Sequence, residues 1–150
     1  ENIFVGNLPL TRIPLFVDWK AMMRLAAEAL ERVGLDIRPE ETVRRLSTSQ
    51  QQLLCIAKAL YRHPRILVLD EPTASLDPAT ERTLVDNLKA WAKDRTVVII
   101  THRMSTAACA DQVVILDAGR VVESGRPDDL AGAGGAYSRL LSSAGREDAA

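Results

Sequence analysis

Aromatic residues are scarce in this sequence, and long apolar runs and an excess of positive charge are missing. Aromatic side chains make up 4% of the 150 residues, and the formal net charge is −1 at pH 7. Because nucleic acids are bound by basic surfaces and stacked aromatic rings, this composition argues against a nucleic-acid partner. The sequence has no apolar run near the roughly 18–20 residues of a membrane-spanning helix and no secretory signal peptide.

Cysteine is also scarce, and the two cysteines lie far apart. Cys55 and Cys109 both fall within helical patterns, which predicts buried free thiols in a reducing compartment. The length suits one domain, and a hydrophobic content of 47% is ordinary for a globular protein. Since the chain begins at Glu1 rather than Met, we expect it to be a piece of a longer protein.

Two adjacent carboxylates follow a short apolar run in the middle of the chain. Residues 66–69 (ILVL) suit a buried strand and are too few for a helix, and Asp70 and Glu71 come directly after them. Ligands of open α/β sheets bind at the carboxyl ends of strands. One carboxylate there can bind Mg²⁺, usually through water, and its neighbour can orient or deprotonate an attacking water. Asp77-Pro78 then has the residues of a helix N-cap and first helical position.

Polar residues upstream and downstream of this pair could belong to the same site. Ser47 and Gln50 form the S-x-x-Q pattern of a capping box at the start of a helix. Capping alone would explain both residues, but a helix N-terminus is also suited to phosphate. Residues 96–100 (TVVII) predict another buried strand, and His102 follows its end. A histidine there is structural or contacts a phosphate oxygen.

Three segments, in this order and spacing, resemble motifs of the ATP-binding cassette (ABC) ATPases. Residues 46–52 (LSTSQQQ) are similar to the signature sequence, 69–77 (LDEPTASLD) to the Walker B motif and D-loop, and 97–102 (VVIITH) to the strand with the switch histidine. The resemblance covers nearly the whole chain. Motif order makes an unrelated α/β enzyme a poor alternative.

The resemblance implies a role for each site residue. Asp70 would bind Mg²⁺, Glu71 would polarise the attacking water and His102 would contact the γ-phosphate of ATP. Residues Ser47, Ser49 and Gln50 would act on the nucleotide of the opposite subunit, and Ser75 and Asp77 would bridge the dimer interface. Thr48 and Ser49 replace the two glycines of the usual signature, and a side chain at the second glycine adds bulk near the nucleotide.

The phosphate-binding loop of this family is absent from the sequence. Phosphoryl transfer in this class depends on G-x-x-x-x-G-K-[ST], and no glycine here is followed by lysine. The Q-loop and the adenine-stacking aromatic are missing too. The chain therefore resembles the C-terminal half of the domain, and we expect its strands to have an uncovered edge and face. We also expect that the chain alone neither binds ATP tightly nor hydrolyses it.

The predicted fold is an α/β fragment of a P-loop NTPase-like ABC ATPase. Residues 1–64 form a helical subdomain with the signature helix, 65–141 a partial parallel-sheet core with a C-terminal β-hairpin, and 142–150 a flexible tail. In the hairpin, Gly119 takes a positive φ. Asp18 caps the first helix and Gly34 ends it.

The resemblance also implies partners and a location. The complete domain would bind ATP and Mg²⁺, pair with a second nucleotide-binding domain and drive transmembrane permease subunits from the cytoplasmic face of the cell membrane. Residues 50–52 and 56–60 are most similar to sugar importers, whereas 102–106 and 135–141 are more similar to exporters. An alternative is a non-catalytic half-domain or degenerate subunit that supplies a signature surface in trans.

Overall fold

The computed structural model describes residues 1–11 and 16–147, which form two compact units, Glu1–Ile100 and Thr101–Ala150. Helices of the first unit are α1 (Trp19–Glu31), α2 (Thr48–Tyr61) and α3 (Pro78–Trp91), and its strands are β1 (Ile66–Asp70) and β2 (Thr96–Ile100). Short 3₁₀ turns lie at Asn2–Phe4, Val43–Arg45 and Ala92–Asp94. Part of the N-terminal stretch predicted to be irregular, at Pro14, lies outside the described residues.

Local sequence signals set the ends of α1 and α2. The Asp18 side chain accepts a hydrogen bond from the N–H of Ala21, and Gly34 has a φ of +69° just beyond α1. Helix α2 ends at Tyr61, and His63 takes a positive φ before Pro64, which disfavours helical geometry in the residue before it. The predicted start and end of α1 are thus confirmed.

The core of the first unit joins the N-terminal turn to α1, α2 and the sheet. Phe4 is completely buried, and its ring meets that of Tyr61 edge to face with centroids 4.7 Å apart. Helices α1 and α2 contribute the buried Met22 and Leu60, and β1 contributes the buried Leu67 and Leu69. Burying side chains of this size supplies most of the stabilisation of such a unit.

Strands β1 and β2 form a parallel pair that is covered on one face only. Val68 lies opposite Val98, and Asp70 lies opposite Ile100. Alternate residues of β1 are exposed, and the exposed fractions are 66% for Ile66, 59% for Val68 and 44% for Val98. The predicted uncovered face is thus confirmed, whereas the prediction of fully buried strands is wrong. Within the described residues, only the inner face has side chains packed against it.

The second unit is a β-hairpin packed against short helices. Its elements are α4 (Met104–Ala107), β3 (Val113–Asp117), β4 (Arg120–Gly125), α5 (Pro127–Ala131) and α6 (Ala136–Glu147). Gly119 has the predicted positive φ, 73°, and Ala118 before it has a φ of 46°. Positive φ at both turn residues matches the twist of a two-residue hairpin. Val113, Leu130 and Tyr137 form the buried core.

One carboxylate positions the last helix against this hairpin. Glu123 of β4 accepts a hydrogen bond from the N–H of Tyr137 in the first turn of α6, with 2.7 Å between nitrogen and oxygen. A Cβ on Gly135 would overlap the same carboxylate, so a larger residue here would have to displace the Glu123 side chain. Helix α6 continues to Glu147, so that regular structure extends into the segment predicted to be a flexible tail from Ser142.

The prediction of buried cysteines is wrong, and Cys109 lies beyond the end of α4. Cys55 is exposed on α2 and Cys109 is half-buried, and both are free thiols. Cys55 lies on the face of α2 away from the buried Leu54 and Ile56. The helical pattern around Cys55 was correct, but its position on that pattern is the solvent face.

Candidate functional site

The end of β1 places the two carboxylates in different surroundings. Asp70 is the last residue of β1 and is exposed on the uncovered face, where it shares the strand register with Ile100. Glu71 is half-buried and has a φ of +44°. This left-handed conformation is rare for a residue with a Cβ and is found where surrounding contacts enforce it, often at functional sites.

Hydrogen bonds on both sides fix the backbone of Glu71. Its N–H donates to the carbonyl of Ile100 at 2.8 Å, and its carbonyl accepts from the N–H of Ala74 at 3.2 Å. The same carbonyl accepts from Nε2 of Gln52 on α2, also at 2.8 Å. The chain therefore leaves the sheet through a sharp turn that is tied to β2 and to α2.

Residues 71–77, which we call the post-strand segment, fold back against the core. Thr73 and Leu76 are buried, with exposed fractions of 0% and 5%. Within the described part of the chain, Oγ1 of Thr73 has no hydrogen-bond partner. Ser75 is exposed, and its hydroxyl donates to Oε1 of Gln52. The predicted nucleotide-site residue Ser75 thus contacts the same glutamine as Glu71.

The N-terminus of α2 carries the predicted capping box. Oγ of Ser47 accepts from the N–H of Gln50 at 3.3 Å, and Oε1 of Gln50 accepts from the N–H of Ser47 at 2.9 Å. The hydroxyls of Ser47 and Ser49 lie 2.9 Å apart and share a hydrogen bond. These three side chains, the α2 cap cluster, are exposed or half-buried at the positive end of the helix dipole. Their contact with a nucleotide stays a prediction.

Asp77 is the N-cap of α3. Its carboxylate accepts from the N–H groups of Ala79 and Thr80, each at 3.0 Å, and from the hydroxyl of Thr80 at 2.6 Å. The bond from the Thr80 hydroxyl, followed by the bond from its N–H, holds the pKa of Asp77 below its usual value. The predicted cap is confirmed, and the predicted role at a dimer interface stays a prediction.

His102 belongs to the second unit, two positions beyond the last residue of β2 in sequence. It is exposed, and its neighbour Thr101 accepts a hydrogen bond from the N–H of Arg103 through Oγ1, at 3.0 Å. The predicted contact of His102 with the γ-phosphate of ATP stays a prediction.

The described residues offer Mg²⁺ carboxylate oxygens but no complete cage. Among them, no group of three or more His, Cys, Asp or Glu side chains is arranged to bind a metal ion. Mg²⁺ is typically bound by one or two carboxylates together with phosphate oxygens and water. The exposed Asp70, at the end of a parallel strand, fits that role for a magnesium nucleotide.

A groove of about 850 Å³ opens beside α1, away from the post-strand segment. Its lining includes Ile3, Val5 and Leu30, and Trp19 on its wall is 57% exposed. The groove therefore offers an accessible apolar surface beside the N-terminal turn, which is suited to a partner side chain or helix.

Gln52 was missed by the sequence analysis. Apart from Gln50 in the capping box, the glutamines had been interpreted only as a family feature, because nothing in a helix pattern indicates which long-range contact a glutamine makes. The one available signal is that Gln52 directly precedes the buried pair Leu53 and Leu54 on α2.

The fold and the strand-end carboxylates define a P-loop NTPase-like α/β cassette. Residues 3–74 match the sequence model of the ABC transporter family. The ATP-dependent lipid A-core flippase of Bordetella avium (strain 197N) is 44% identical over 108 residues, which are 72% of this chain and 18% of that protein. The flippase of the same name from Xylella fastidiosa (strain Temecula1) is 38% identical over 146 residues, 87% of this chain and 25% of that protein. The chain thus carries ABC transporter ATP-binding domain sequence and spans a quarter or less of these relatives.

Solved structures agree with this assignment. A bacterial Atm1-family ABC exporter with ATP bound superposes with a TM-score of 0.66 and 34% identity, over 81% of this chain and 22% of that chain. The dimeric structure of MJ0796, a bacterial ABC transporter cassette, gives a TM-score of 0.72 and 26% identity. The match covers 84% of this chain and 55% of that chain. These relatives do not support the predicted likeness to sugar importers. In the described residues, no helix is long and apolar enough to cross a membrane.

Proposed function

We propose that this chain supplies the water-activating and dimer-facing part of an ATP-hydrolysing ABC transporter domain. The observation that carries the proposal is the turn at the end of β1. There the exposed Asp70 is followed by Glu71 in a left-handed conformation, which is fixed by bonds to β2 and to α2. The family match over residues 3–74 supports the same assignment.

The two carboxylates have separate roles in this proposal. Asp70, which is exposed, would bind Mg²⁺ through water, as magnesium nucleotides are commonly bound. Glu71, which is half-buried, would orient the attacking water and accept its proton. Mg²⁺ neutralises developing charge on the phosphates when it is bound. This sequence has no P-loop, so a P-loop would have to be supplied to complete the site.

The α2 cap cluster would act on the nucleotide of a second copy. Its N–H groups and hydroxyls lie at the positive end of α2, a geometry suited to phosphate. The structural neighbour MJ0796 was solved as a dimer, and the predicted pairing of two nucleotide-binding domains follows from the same likeness. Ser49 in place of the usual glycine retains a hydroxyl that can donate to phosphate.

The relatives favour export of a lipid over import of a sugar. Both flippases are named for lipid A-core, and the Atm1-family neighbour is named an exporter. We therefore propose a lipid-exporting transporter, with the domain at the cytoplasmic face of the membrane. The groove beside α1, rather than the sheet face, would receive the membrane-spanning partner, whether it is a separate permease subunit or part of the same polypeptide.

A chimeric transporter tests the proposal. The matching stretch of the Bordetella avium flippase is replaced by this chain, so that the flippase supplies the P-loop. We expect the chimera to hydrolyse Mg-ATP, and Glu71→Gln to lower turnover by roughly 10²–10⁴-fold while ATP binding is retained. Asp86→Asn, which removes an exposed carboxylate on α3, is the matched control and should leave turnover unchanged.

Two outcomes would contradict the proposal. Turnover that is equal in the Glu71→Gln chimera and its parent would remove Glu71 from the reaction. A folded chimera that binds no ATP would favour a non-catalytic half-domain instead. For the isolated chain, calorimetry with Mg-ATP should detect no micromolar site. The predicted role of His102 is tested by His102→Ala in the same chimera, with loss of turnover as the expected result.

A further inference from the structure

A single side-chain amide joins α2 to both ends of the turn that follows β1. Nε2 of Gln52 donates to the carbonyl of Glu71 at 2.8 Å, and Oε1 of the same residue accepts from the hydroxyl of Ser75. Gln52 is half-buried and lies one helical turn beyond the cap residue Ser47. Both polar atoms of its amide are therefore used, one as donor and one as acceptor.

Gln52 contacts a residue that has an unfavourable backbone conformation. Glu71 has a φ of +44°, which residues with a Cβ adopt rarely and only under constraint. Its other two backbone bonds, to Ile100 and Ala74, are main-chain bonds within the sheet and the turn. Gln52 supplies the constraint from a different element. A change in its position would therefore change the backbone conformation from which the Glu71 side chain extends.

The neighbouring glutamine shows that this contact is specific. Nε2 of Gln51 donates to the carbonyl of Leu46 at 2.9 Å, which belongs to the approach to the same helix. Two consecutive glutamines on α2 thus point their amides to different places. Only Gln52 reaches across 19 positions of sequence to the strand end.

We infer that Gln52 is a positioning residue that fixes the backbone of Glu71 and the hydroxyl of Ser75 relative to α2. The inference deepens the proposed function and rests on it for the catalytic consequence. In that function the N-terminus of α2 faces the nucleotide of a second copy, while Glu71 serves the nucleotide of its own copy. Gln52 then transmits a shift of α2 to the water-activating carboxylate, so that occupancy of one nucleotide site affects the other.

The first experiment measures backbone protection in the 150-residue chain by NMR hydrogen exchange. Gln52→Glu has nearly the same shape and still accepts from Ser75, but its carboxylate cannot donate to the carbonyl of Glu71 at neutral pH. We expect the Glu71 and Ala74 amides to exchange roughly 5–10-fold faster in this variant, as the loss of one ordinary hydrogen bond implies. Gln52→Ala should speed the exchange of the same two amides, whereas Gln51→Ala should leave their exchange rates unchanged.

The second experiment measures turnover in the flippase chimera. We expect Gln52→Glu and Gln52→Ala to lower kcat for Mg-ATP about 10-fold with KM little changed, because a positioning residue acts through Glu71 rather than on the nucleotide. Gln51→Ala is again the control. A rise in KM with unchanged kcat would contradict a positioning role.

The outcomes separate this inference from the proposed function. Unchanged exchange at Glu71 and Ala74 in both Gln52 variants would overturn the inference whatever the activity of the chimera. Faster exchange with unchanged kcat would overturn its catalytic part and leave a structural bond only. An inactive parent chimera would instead contradict the proposed function, while the exchange result would still decide whether Gln52 fixes the turn.

Discussion

Replacing Glu71 by glycine and by alanine separates the strain of its backbone from the loss of its carboxylate. Both substitutions remove the carboxylate, but only alanine retains a Cβ at a φ of +44°. The left-handed conformation costs a residue with a Cβ about 1–2 kcal/mol. Glycine avoids this cost, but it also stabilises the unfolded chain by about 0.4–1 kcal/mol relative to alanine, because it has more conformational freedom there. We therefore expect Glu71→Gly to be more stable than Glu71→Ala by about 0.5–1 kcal/mol.

Urea unfolding followed by tryptophan fluorescence is a suitable assay. Trp19 and Trp91 both lie in the Glu1–Ile100 unit, so the signal reports the unit that contains Glu71. His63, which is exposed and has a φ of +48°, is the matched comparator. The free energy of unfolding of His63→Gly should exceed that of His63→Ala by a similar amount. Ala90→Gly in α3 should instead destabilise by about 1 kcal/mol, because a helix interior disfavours glycine.

One result would refute the reasoning about Glu71. If glycine is more stable than alanine at position 63 but not at position 71, the left-handed conformation of Glu71 does not exist in solution. The strand end would then have an ordinary extended backbone, and the argument that Gln52 constrains a strained residue would fail with it.

Three further predictions concern packing and ionisation. Phe4→Ala should lower the free energy of unfolding by about 3–5 kcal/mol in urea titrations, since Phe4 is fully buried, whereas the exposed Val5→Ala should change it by less than about 0.5 kcal/mol. Gly34→Ala should destabilise by at least about 1 kcal/mol, because its Cβ would lie 2.8 Å from Cγ2 of Thr83 at a φ of +69°, and Thr83→Ser should restore part of the loss in the same assay. Burial raises the pKa of Tyr137 above 10.0. The stabilisation that Tyr137 gives in its protonated form is therefore complete below pH 10.0 and is lost as the pH rises above that value. Tyr137→Phe should abolish this pH dependence in amide-exchange measurements on the second unit.

Local features of the fold were predictable from the sequence because neighbouring residues determine them. The capping box of Ser47 and Gln50, the Asp77 cap and the positive φ of Gly119 each depend on a few adjacent side chains and backbone groups. The strand at Ile66–Asp70 and its parallel partner also followed from short apolar runs bounded by turn residues.

Long-range contacts and solvent exposure were not predictable in the same way. Gln52 bonds to Glu71 and Ser75 only because α2 packs beside the end of β1, which no local pattern specifies. Nor does a glutamate signal a left-handed conformation, which is more often adopted by glycine or asparagine. Val98 was expected to be buried because apolar strand residues usually are, and its exposure depends on what lies over the sheet.

The fixed start of α6 also determines where this chain can be labelled. Around Gly132 no heavy atom lies within 4 Å of an added Cβ, whereas Gly135 is closed by the Glu123 carboxylate. Gly132→Cys, combined with Cys55→Ser to remove the exposed thiol, therefore offers an attachment point for a fluorophore or spin probe. The same dye at position 135 would push the hairpin and the terminal helix apart.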